Sequence, residues 1–140
     1  MTRGCRCAAA VALIAAPALS PPSAGAHLRL LSFTITPACT SPGGTIAHRV
    51  RIRQIHPQHV HVLWARVVVR HVQTGLVVQR RDDGPHRVPF GTYTSRGRST
   101  IPLKAPLGDY RVTLTLGSRR GGAQWGASTR TLQVRPPGLC

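Results

Sequence analysis

Acidic residues are scarce in this sequence. Its 140 residues contain only three carboxylates, Asp82, Asp83 and Asp109, against 19 lysines and arginines, and the formal net charge is +16. Asp82 and Asp83 are adjacent in an arginine-rich stretch, where local ion pairing is their simplest role. Asp109 is expected to shape a turn. Motifs for a nucleophile elbow, a phosphate loop or a zinc protease are also missing, so we expect neither an enzyme nor a small-molecule substrate.

Aromatic residues are rare as well, at 4% of the chain. Binding of single-stranded nucleic acid depends on stacking bases against aromatic rings, so a specific nucleic-acid partner is not expected. Lys104 is the only lysine, and the positive charge is therefore almost entirely arginine. A bias toward arginine, alanine, glycine and proline is as readily genomic as functional. The charge attracts polyanions whatever its origin.

Long apolar runs are missing except near the amino terminus. Met1–Arg6 carries positive charge, Cys7–Leu19 is apolar, and the small residues Ala24-Gly25-Ala26 follow. This order is typical of a secretory signal peptide. We place a signal-peptide helix at residues 1–26 and the mature domain at residues 27–140.

A membrane anchor is the other interpretation of this amino-terminal segment. The apolar run is shorter than the ~18–20 residues that a spanning helix needs, and Pro17 interrupts it. We expect cleavage after Ala26, with cleavage after Ala18 as the weaker alternative. The mature protein is then secreted and has no transmembrane anchor.

One stretch, Pro106–Leu116, organises the predicted fold. Tyr110, Val112, Leu114 and Leu116 fall on one face of an extended chain, and polar residues fall on the other. Strict alternation of this kind predicts a strand with one buried and one solvated face. No segment of the mature chain has a convincing 3.6-residue apolar period.

The other predicted strands are short and are separated by turn-forming residues. They are Leu28–Thr36, Thr45–Ile55, Val60–His71, Leu76–Gln79, Phe90–Thr94, Arg98–Leu103 and Gln124–Arg135. Arg80–Val88 is predicted to be a polar loop, and Ser95-Arg96-Gly97 a turn. Leu31, Phe33 and Ile35 are expected to face inward from the first of these strands. Ile101 and Leu103 are expected to face inward from Arg98–Leu103.

Two segments need a closer assignment of their faces. In Thr45–Ile55, His48 shares the inner face with isoleucines and valine. In Val60–His71, an uninterrupted strand would place Trp64 on one face and Val67 on the opposite face. A β-bulge near Ala65–Arg66 would reconcile the two alternations.

Three features resemble bacterial immunoglobulin-like (Ig-like) domains. Ile35-Thr36-Pro37, followed by Ser41-Pro42-Gly43-Gly44-Thr45, resembles the first two strands of exported Ig-like modules. Trp64 lies where such folds place a core tryptophan, and Leu107–Val112 resembles the entry to the sixth strand, with Tyr110 as a tyrosine corner. The resemblance implies an all-β, immunoglobulin-like antiparallel β-sandwich of about seven strands. Its core would contain Trp64, Tyr110, Val112 and Leu114. The disulfide of antibody domains is missing, because Val112 occupies the place of its second cysteine.

Removal of the signal peptide leaves two cysteines, Cys39 and Cys140. A pair of cysteines in an exported chain favours a disulfide. The resemblance places both at the same pole of the sandwich, where a bond would close a loop of about 100 residues and stabilise the fold by about 4–5 kcal/mol. The alternative is two free or intermolecular thiols.

Histidines suggest two metal hypotheses. His59 and His61 share a strand face, with His56 in the preceding turn, and their imidazoles could hold copper or zinc. After cleavage, His27 would be amino-terminal and could chelate copper, which resembles periplasmic copper carriers and polysaccharide monooxygenases. No cysteine or carboxylate completes either set, so the simpler interpretation is surface histidines, and we expect no metal or cofactor.

Rows of arginines form the remaining candidate surface. Arg49, Arg51 and Arg53 alternate along one strand, about 7 Å apart. A second set, on the other sheet, consists of Arg66, Arg70 and Arg111. These side chains could hold phosphates or carboxylates, or they could simply form a solvated outer face. We predict a secreted binding or structural module with an anionic polymer of the cell envelope as its candidate partner. The alternative is copper handling through His27, and the sequence does not indicate an oligomeric state.

Overall fold

The protein folds as two β-sheets packed face to face. A computed structural model describes residues 28–57 and 61–140. The strands are β1 (Leu28–Thr36), β2 (Cys39–Thr40), β3 (Thr45–Gln54), β4 (His61–His71), β5 (Val77–Val88), β6 (Gly91–Thr100), β7 (Gly108–Gly117) and β8 (Gly126–Val134). The three-stranded sheet has the order β1-β3-β6, and the five-stranded sheet has the order β2-β8-β7-β4-β5. All pairs are antiparallel except β2–β8. The predicted all-β sandwich is confirmed, with eight strands where about seven were expected.

The predicted organising strand, β7, lies in the middle of the five-stranded sheet, between β8 and β4. Tyr110, Val112 and Leu114 are fully buried, as predicted. The Tyr110 hydroxyl donates a hydrogen bond to the Pro106 carbonyl, which is the expected tyrosine corner. The His71 ring packs against the Tyr110 ring at a centroid distance of 4.9 Å. This strand therefore joins the centre of the core to the loop before it.

Strand β4 keeps a single alternation along its length, contrary to the predicted bulge. Leu63, Val67 and Val69 are buried, and Trp64 lies on the outer face, half-buried and outside the core. The prediction of Trp64 as a core residue is wrong. Pairing with β7 is unbroken, from Trp64 opposite Gly117 to His71 opposite Tyr110. The irregularities lie instead in β5, which carries the extra residues in its pairing with β4.

Strands β5 and β6 replace segments predicted as loop and turn. Arg80–Val88 continues β5, and Ser95-Arg96-Gly97 lies inside β6, which pairs with β3 along its whole length. A Cβ atom at Gly97 would lie 2.3 Å from the His48 ring, so the glycine leaves space for the imidazole and does not mark a turn. After β6, Ile101 is buried as predicted, but Leu103 is 81% exposed.

Strand β1 has the predicted bounds but one irregularity. Its register against β3 shifts between Leu30 and Ser32, which leaves Leu31 as an extra residue. The bulge lets both Leu28 and Phe33 face the core, while Leu31 is 42% exposed and does not share their face as predicted.

The chain moves from one sheet to the other after β1. Strand β2 pairs with β8, and the Ala38 carbonyl accepts a hydrogen bond from the Gln133 amide. Cys39 in β2 forms a disulfide with Cys140, 101 residues later, with a Cα–Cα distance of 5.6 Å. The predicted pairing at this pole is confirmed, and such a bond is consistent with an extracytoplasmic domain.

Some predictions fall outside the described residues. These are the signal peptide at residues 1–26, His27 and His59. Within residues 28–57 and 61–140, no helix is long and apolar enough to cross a membrane.

Candidate functional site

The outer face of the three-stranded sheet carries a concentration of arginines. Alternation in β3 buries Ile46, Val50 and Ile52 on one side and exposes Arg49, Arg51 and Arg53 on the other, as predicted. The two neighbouring strands add further exposed arginines to the same face. These are Arg29 on β1 and Arg96 and Arg98 on β6.

The strand register arranges these side chains as a continuous diagonal. Arg29 lies opposite Arg53, and Arg49 lies opposite Arg96. We call the set the arginine band; in order from β1 to β6 it comprises Arg29, Arg53, Arg51, Arg49, Arg96 and Arg98. Adjacent members are about 7 Å apart along a strand and about 5 Å apart, between Cβ atoms, across strands. The face is therefore a ribbon of positive charge that crosses all three strands.

Hydroxyl groups flank the arginine band, and carboxylates do not. Ser32, Thr34 and Thr36 lie on its β1 side, and Thr92 and Thr94 lie on its β6 side. The three carboxylates of the chain lie on β5 and β7, in the other sheet. Within the described residues, no ion pair or hydrogen bond holds the guanidinium group of any member of the band. Like charges opposite each other destabilise a sheet, so this face is one that an anion would stabilise.

A depression lies at the β6 end of the arginine band. The row of arginines on β3 stops at Ala47, and an open hollow of about 480 Å³ lies there. Arg49, Arg96 and Arg98 line it, together with Thr34 and Thr36. Three arginines and two threonines thus surround one alanine.

The second predicted arginine set lies on the outer face of the five-stranded sheet, which we call the paired face. Arg66 donates from Nε and Nη2 to the two oxygens of Asp82, at 2.5 and 2.9 Å. This hydrogen-bonded pair lowers the pKa of Asp82 and raises that of Arg66. Arg70 donates to the Gly75 carbonyl at 2.8 Å. Arg111 lies opposite Arg70 in the ladder.

Two side chains near the paired face were not predicted to interact. The Arg120 guanidinium lies over the Trp64 ring, 4.8 Å from its centroid, as in a cation–π contact. Trp64 also packs under Gly84 of β5. The tryptophan is therefore an outer-face residue that is covered by a loop arginine and an edge strand.

A narrow cleft separates the edges of β5 and β6, which do not pair with each other. His48 and Asp83 lie at it, with Arg81 and His86. His86 Nε2 is 3.1 Å from Asp83 Oδ2. Burial, and then the positive charge of Arg81, lower the pKa of His48, while Asp83 opposes the shift. The cavity measures about 30 Å³, which is room for a few water molecules at most and too little for a metabolite.

The metal hypotheses remain predictions. His27 and His59 lie outside the described residues, as does the side chain of His61. Among the side chains that the structure describes, no group of three or more histidines, cysteines or carboxylates could hold a metal ion.

Comparison with known proteins gives the class of domain. No family model matches the sequence, and no curated protein matches it. The fold is like that of CARDB and Ig-like domains. The CARDB domain of a Pyrococcus furiosus protein, solved with di-metal ions, is 13% identical with a TM-score of 0.51, and the match covers 76% of this chain and 91% of that one. The carboxy-terminal domain of Wzt is 11% identical with a TM-score of 0.55, over 78% of this chain and 74% of that one.

Larger proteins contain similar domains. Pseudomonas fluorescens AlkC, an alkylpurine DNA glycosylase solved with DNA containing an abasic-site analogue, is 17% identical with a TM-score of 0.59, over 81% of this chain. This chain spans only 32% of the AlkC chain. A Bacteroides uniformis β-glucuronidase matches with a TM-score of 0.62 over 14% of its length. The protein thus shares its fold with small β-sandwich domains, some of which are parts of larger bacterial proteins.

The sequence located half of the arginine band. Arg49, Arg51 and Arg53 were predicted to share a face, and they do. Arg96 was missed because Ser95-Arg96-Gly97 is predicted to be a turn. Arg98 begins a predicted strand, and it was missed because its place beside Ala47 depends on the register between strands. Arg29 was missed because its position opposite Arg53 depends on the register between strands.

Proposed function

We propose that this protein is an exported, non-catalytic module that binds an anionic polymer of the cell envelope along the arginine band. A single observation carries the proposal: six exposed guanidinium groups lie in register on one sheet face, and no described carboxylate compensates them.

The shape of the face supports an extended partner. The outer side of a sheet is broad, and the diagonal course of the band lets several charged groups of one polymer chain engage at once. Guanidinium groups keep their charge at all physiological pH values and bind phosphates and carboxylates with paired hydrogen bonds. Each contact is weak in water, but several contacts along one chain add up.

The disulfide and the amino-terminal sequence support an exported place of action. The Cys39–Cys140 bond suits an oxidising compartment. The positive, apolar and small-residue segments of residues 1–26 suit export. Anionic polymers of the envelope are then the abundant polyanions within reach.

The test is binding to defined polyanions at two salt concentrations. Polyphosphate, polygalacturonate and duplex DNA would serve as probes; DNA is included because AlkC was solved on DNA. The variant R49S/R51S/R53S removes three charges from the band. Its matched control, R70S/R80S/R111S, removes three charges from the five-stranded sheet.

We expect the band variant to lose affinity for polyphosphate or polygalacturonate by about tenfold or more, with a shallower salt dependence, because fewer counterions are released. The control should lose much less. Equal losses in the two variants would mean that net charge alone attracts polyanions, and no loss in either would remove the proposal.

A further inference from the structure

The depression at Ala47 is the one place where the arginine band surrounds a hollow. We propose that it is a subsite for a single phosphate group, which makes a phosphate-bearing polymer the partner of the band. This inference rests on the proposed function and names the chemical class of its ligand.

The hollow results from a break in the arginine row. Positions 49, 51 and 53 of β3 carry arginine, and the next outward position, Ala47, carries a methyl group. Ala47 lies between Thr36 of β1 and Arg98 of β6. A long side chain here would fill the space that the present sequence leaves open.

Donors reach the hollow from three sides. Arg49 borders it along β3, while Arg96 and Arg98 border it from β6. The hydroxyls of Thr34 and Thr36 border it from β1. None of these side chains is engaged in an ion pair or side-chain hydrogen bond within the described residues, so all of them can turn toward a ligand.

The arrangement fits a phosphate better than a carboxylate. A carboxylate is planar, and one guanidinium fork satisfies both of its oxygens. A phosphate group directs its oxygens toward several sides and can accept from all three strands at once. The directly opposed Arg49 and Arg96 also repel each other, and an anion between them removes that repulsion.

The decisive variant places a larger side chain inside the hollow and leaves the charge unchanged. Ala47→Leu does this, and Ala47→Thr adds a smaller side chain from a residue that favours strands. Ala127→Leu is the matched control, because Ala127 is an exposed alanine on β8 of the other sheet. Thermal unfolding of each variant verifies that the fold is intact before binding is measured.

We expect Ala47→Leu to lower the affinity for polyphosphate about tenfold, as the loss of hydrogen bonds to a charged group would. Ala47→Thr should give an intermediate loss, and Ala127→Leu none. Affinity for polygalacturonate should change less than twofold in all three variants, because its carboxylates need only the open part of the band. Inorganic phosphate added alone tests whether a free ion suffices. If inorganic phosphate raises the melting temperature and Ala47→Leu abolishes that rise, the result supports free phosphate as the source of the ligand. If only polyphosphate binds, the result supports the polymer.

Two failures can be told apart. If Ala47→Leu binds polyphosphate normally while R49S/R51S/R53S does not, the band binds polymers and the subsite does not exist. If neither variant changes binding of any polymer, the proposed function itself fails. An equal loss for polyphosphate and polygalacturonate in Ala47→Leu would overturn the preference for phosphate.

Discussion

The two outer faces of this sandwich carry similar side chains and differ in what those side chains contact. Both are rich in arginine and threonine, and each has an arginine directly opposite another arginine. On the five-stranded sheet, Arg66 is held by Asp82 and Arg70 by a backbone carbonyl. On the three-stranded sheet, no described partner holds the guanidinium group of any arginine of the band.

The difference shows that composition is a poor guide to a charged binding surface. A count of arginines ranks the faces as equals, whereas the contacts leave one of them uncompensated. With three carboxylates in the whole chain, their placement decides which face stays open to anions. All three lie in the five-stranded sheet, and the arginine band receives none.

The largest expected effect comes from removing the disulfide. One of its cysteines lies in β2, an edge strand of the five-stranded sheet that carries the paired face. Replacing Cys39 and Cys140 by serine should lower the free energy of unfolding by about 4–5 kcal/mol, because the bond closes a loop of about 100 residues. Urea unfolding measures this loss. Polyphosphate affinity should be unchanged wherever the variant is folded, because Cys39 pairs with β8 of the other sheet and neither cysteine is a member of the arginine band. A parallel fall in affinity under folding conditions would show that the two sheets are coupled and would break the comparison.

The second prediction is that removing a carboxylate from the paired face frees an arginine there to bind anions. Asp82→Asn removes the partner of Arg66, and it is best made in the R49S/R51S/R53S background, where the band is weakened. Polyphosphate affinity should rise about two- to fivefold, since one more guanidinium can release a counterion. Asp83→Asn changes the net charge equally but lies in the cleft beside His86. An equal rise in both variants would show that net charge, and not the pairing of Arg66, separates the faces.

The third prediction concerns the core side of the arginine-bearing sheet, where His48 lies. Burial lowers its pKa below 6.5 in the folded protein, while the unfolded chain takes up a proton near pH 6.5. Below that pH the unfolded state binds more protons, so the free energy of unfolding should decrease as the pH falls from 6.5 toward 5. Melting temperatures measured from pH 7.5 to 5 would show the decline. The decline should be weaker in His48→Gln and retained in His86→Gln; an identical pH profile in all three proteins would contradict it.

The smallest expected effect is the repulsion within each face. Arg96→Thr removes the partner opposite Arg49 and should raise the free energy of unfolding by about 0.2–1 kcal/mol at low salt. The gain should shrink at high salt, because exposed charges are screened. Arg70→Thr relieves a similar pair with Arg111 but loses the hydrogen bond to Gly75, so its net gain should be smaller. A larger gain for Arg70→Thr in salt-dependent unfolding would reverse the ranking of the two faces.

The sequence predicts the central strands well because their alternation is imposed locally. In β7 every second residue from Tyr110 to Leu116 is apolar and buried. Edge strands do not need this pattern. Strand β5 has polar residues on both faces and carries Gly84-Pro85, so it was taken for a loop. Trp64 was placed in the core by resemblance, although the unbroken pairing of β4 with β7 directs it outward.

The candidate site was only half predictable for a related reason. Alternation within β3 is enough to group Arg49, Arg51 and Arg53. Whether Arg29, Arg96 and Arg98 belong to the arginine band depends on the register between strands. The sequence of one strand alone does not reveal that register. The role of Gly97 also depends on a residue that is distant in the sequence. The glycine makes room for the ring of His48, about 50 residues away in the chain.

The free edge of β6 carries a feature with a consequence for solubility. Arg81 reaches across from β5 and donates from Nη1 to the Arg98 carbonyl, at 2.6 Å. Exposed strand edges are templates on which identical molecules stack into aggregates. A neighbouring molecule that tried to extend this sheet at Arg98 would first have to displace an intramolecular donor. It would also bring a second row of guanidinium groups against the first.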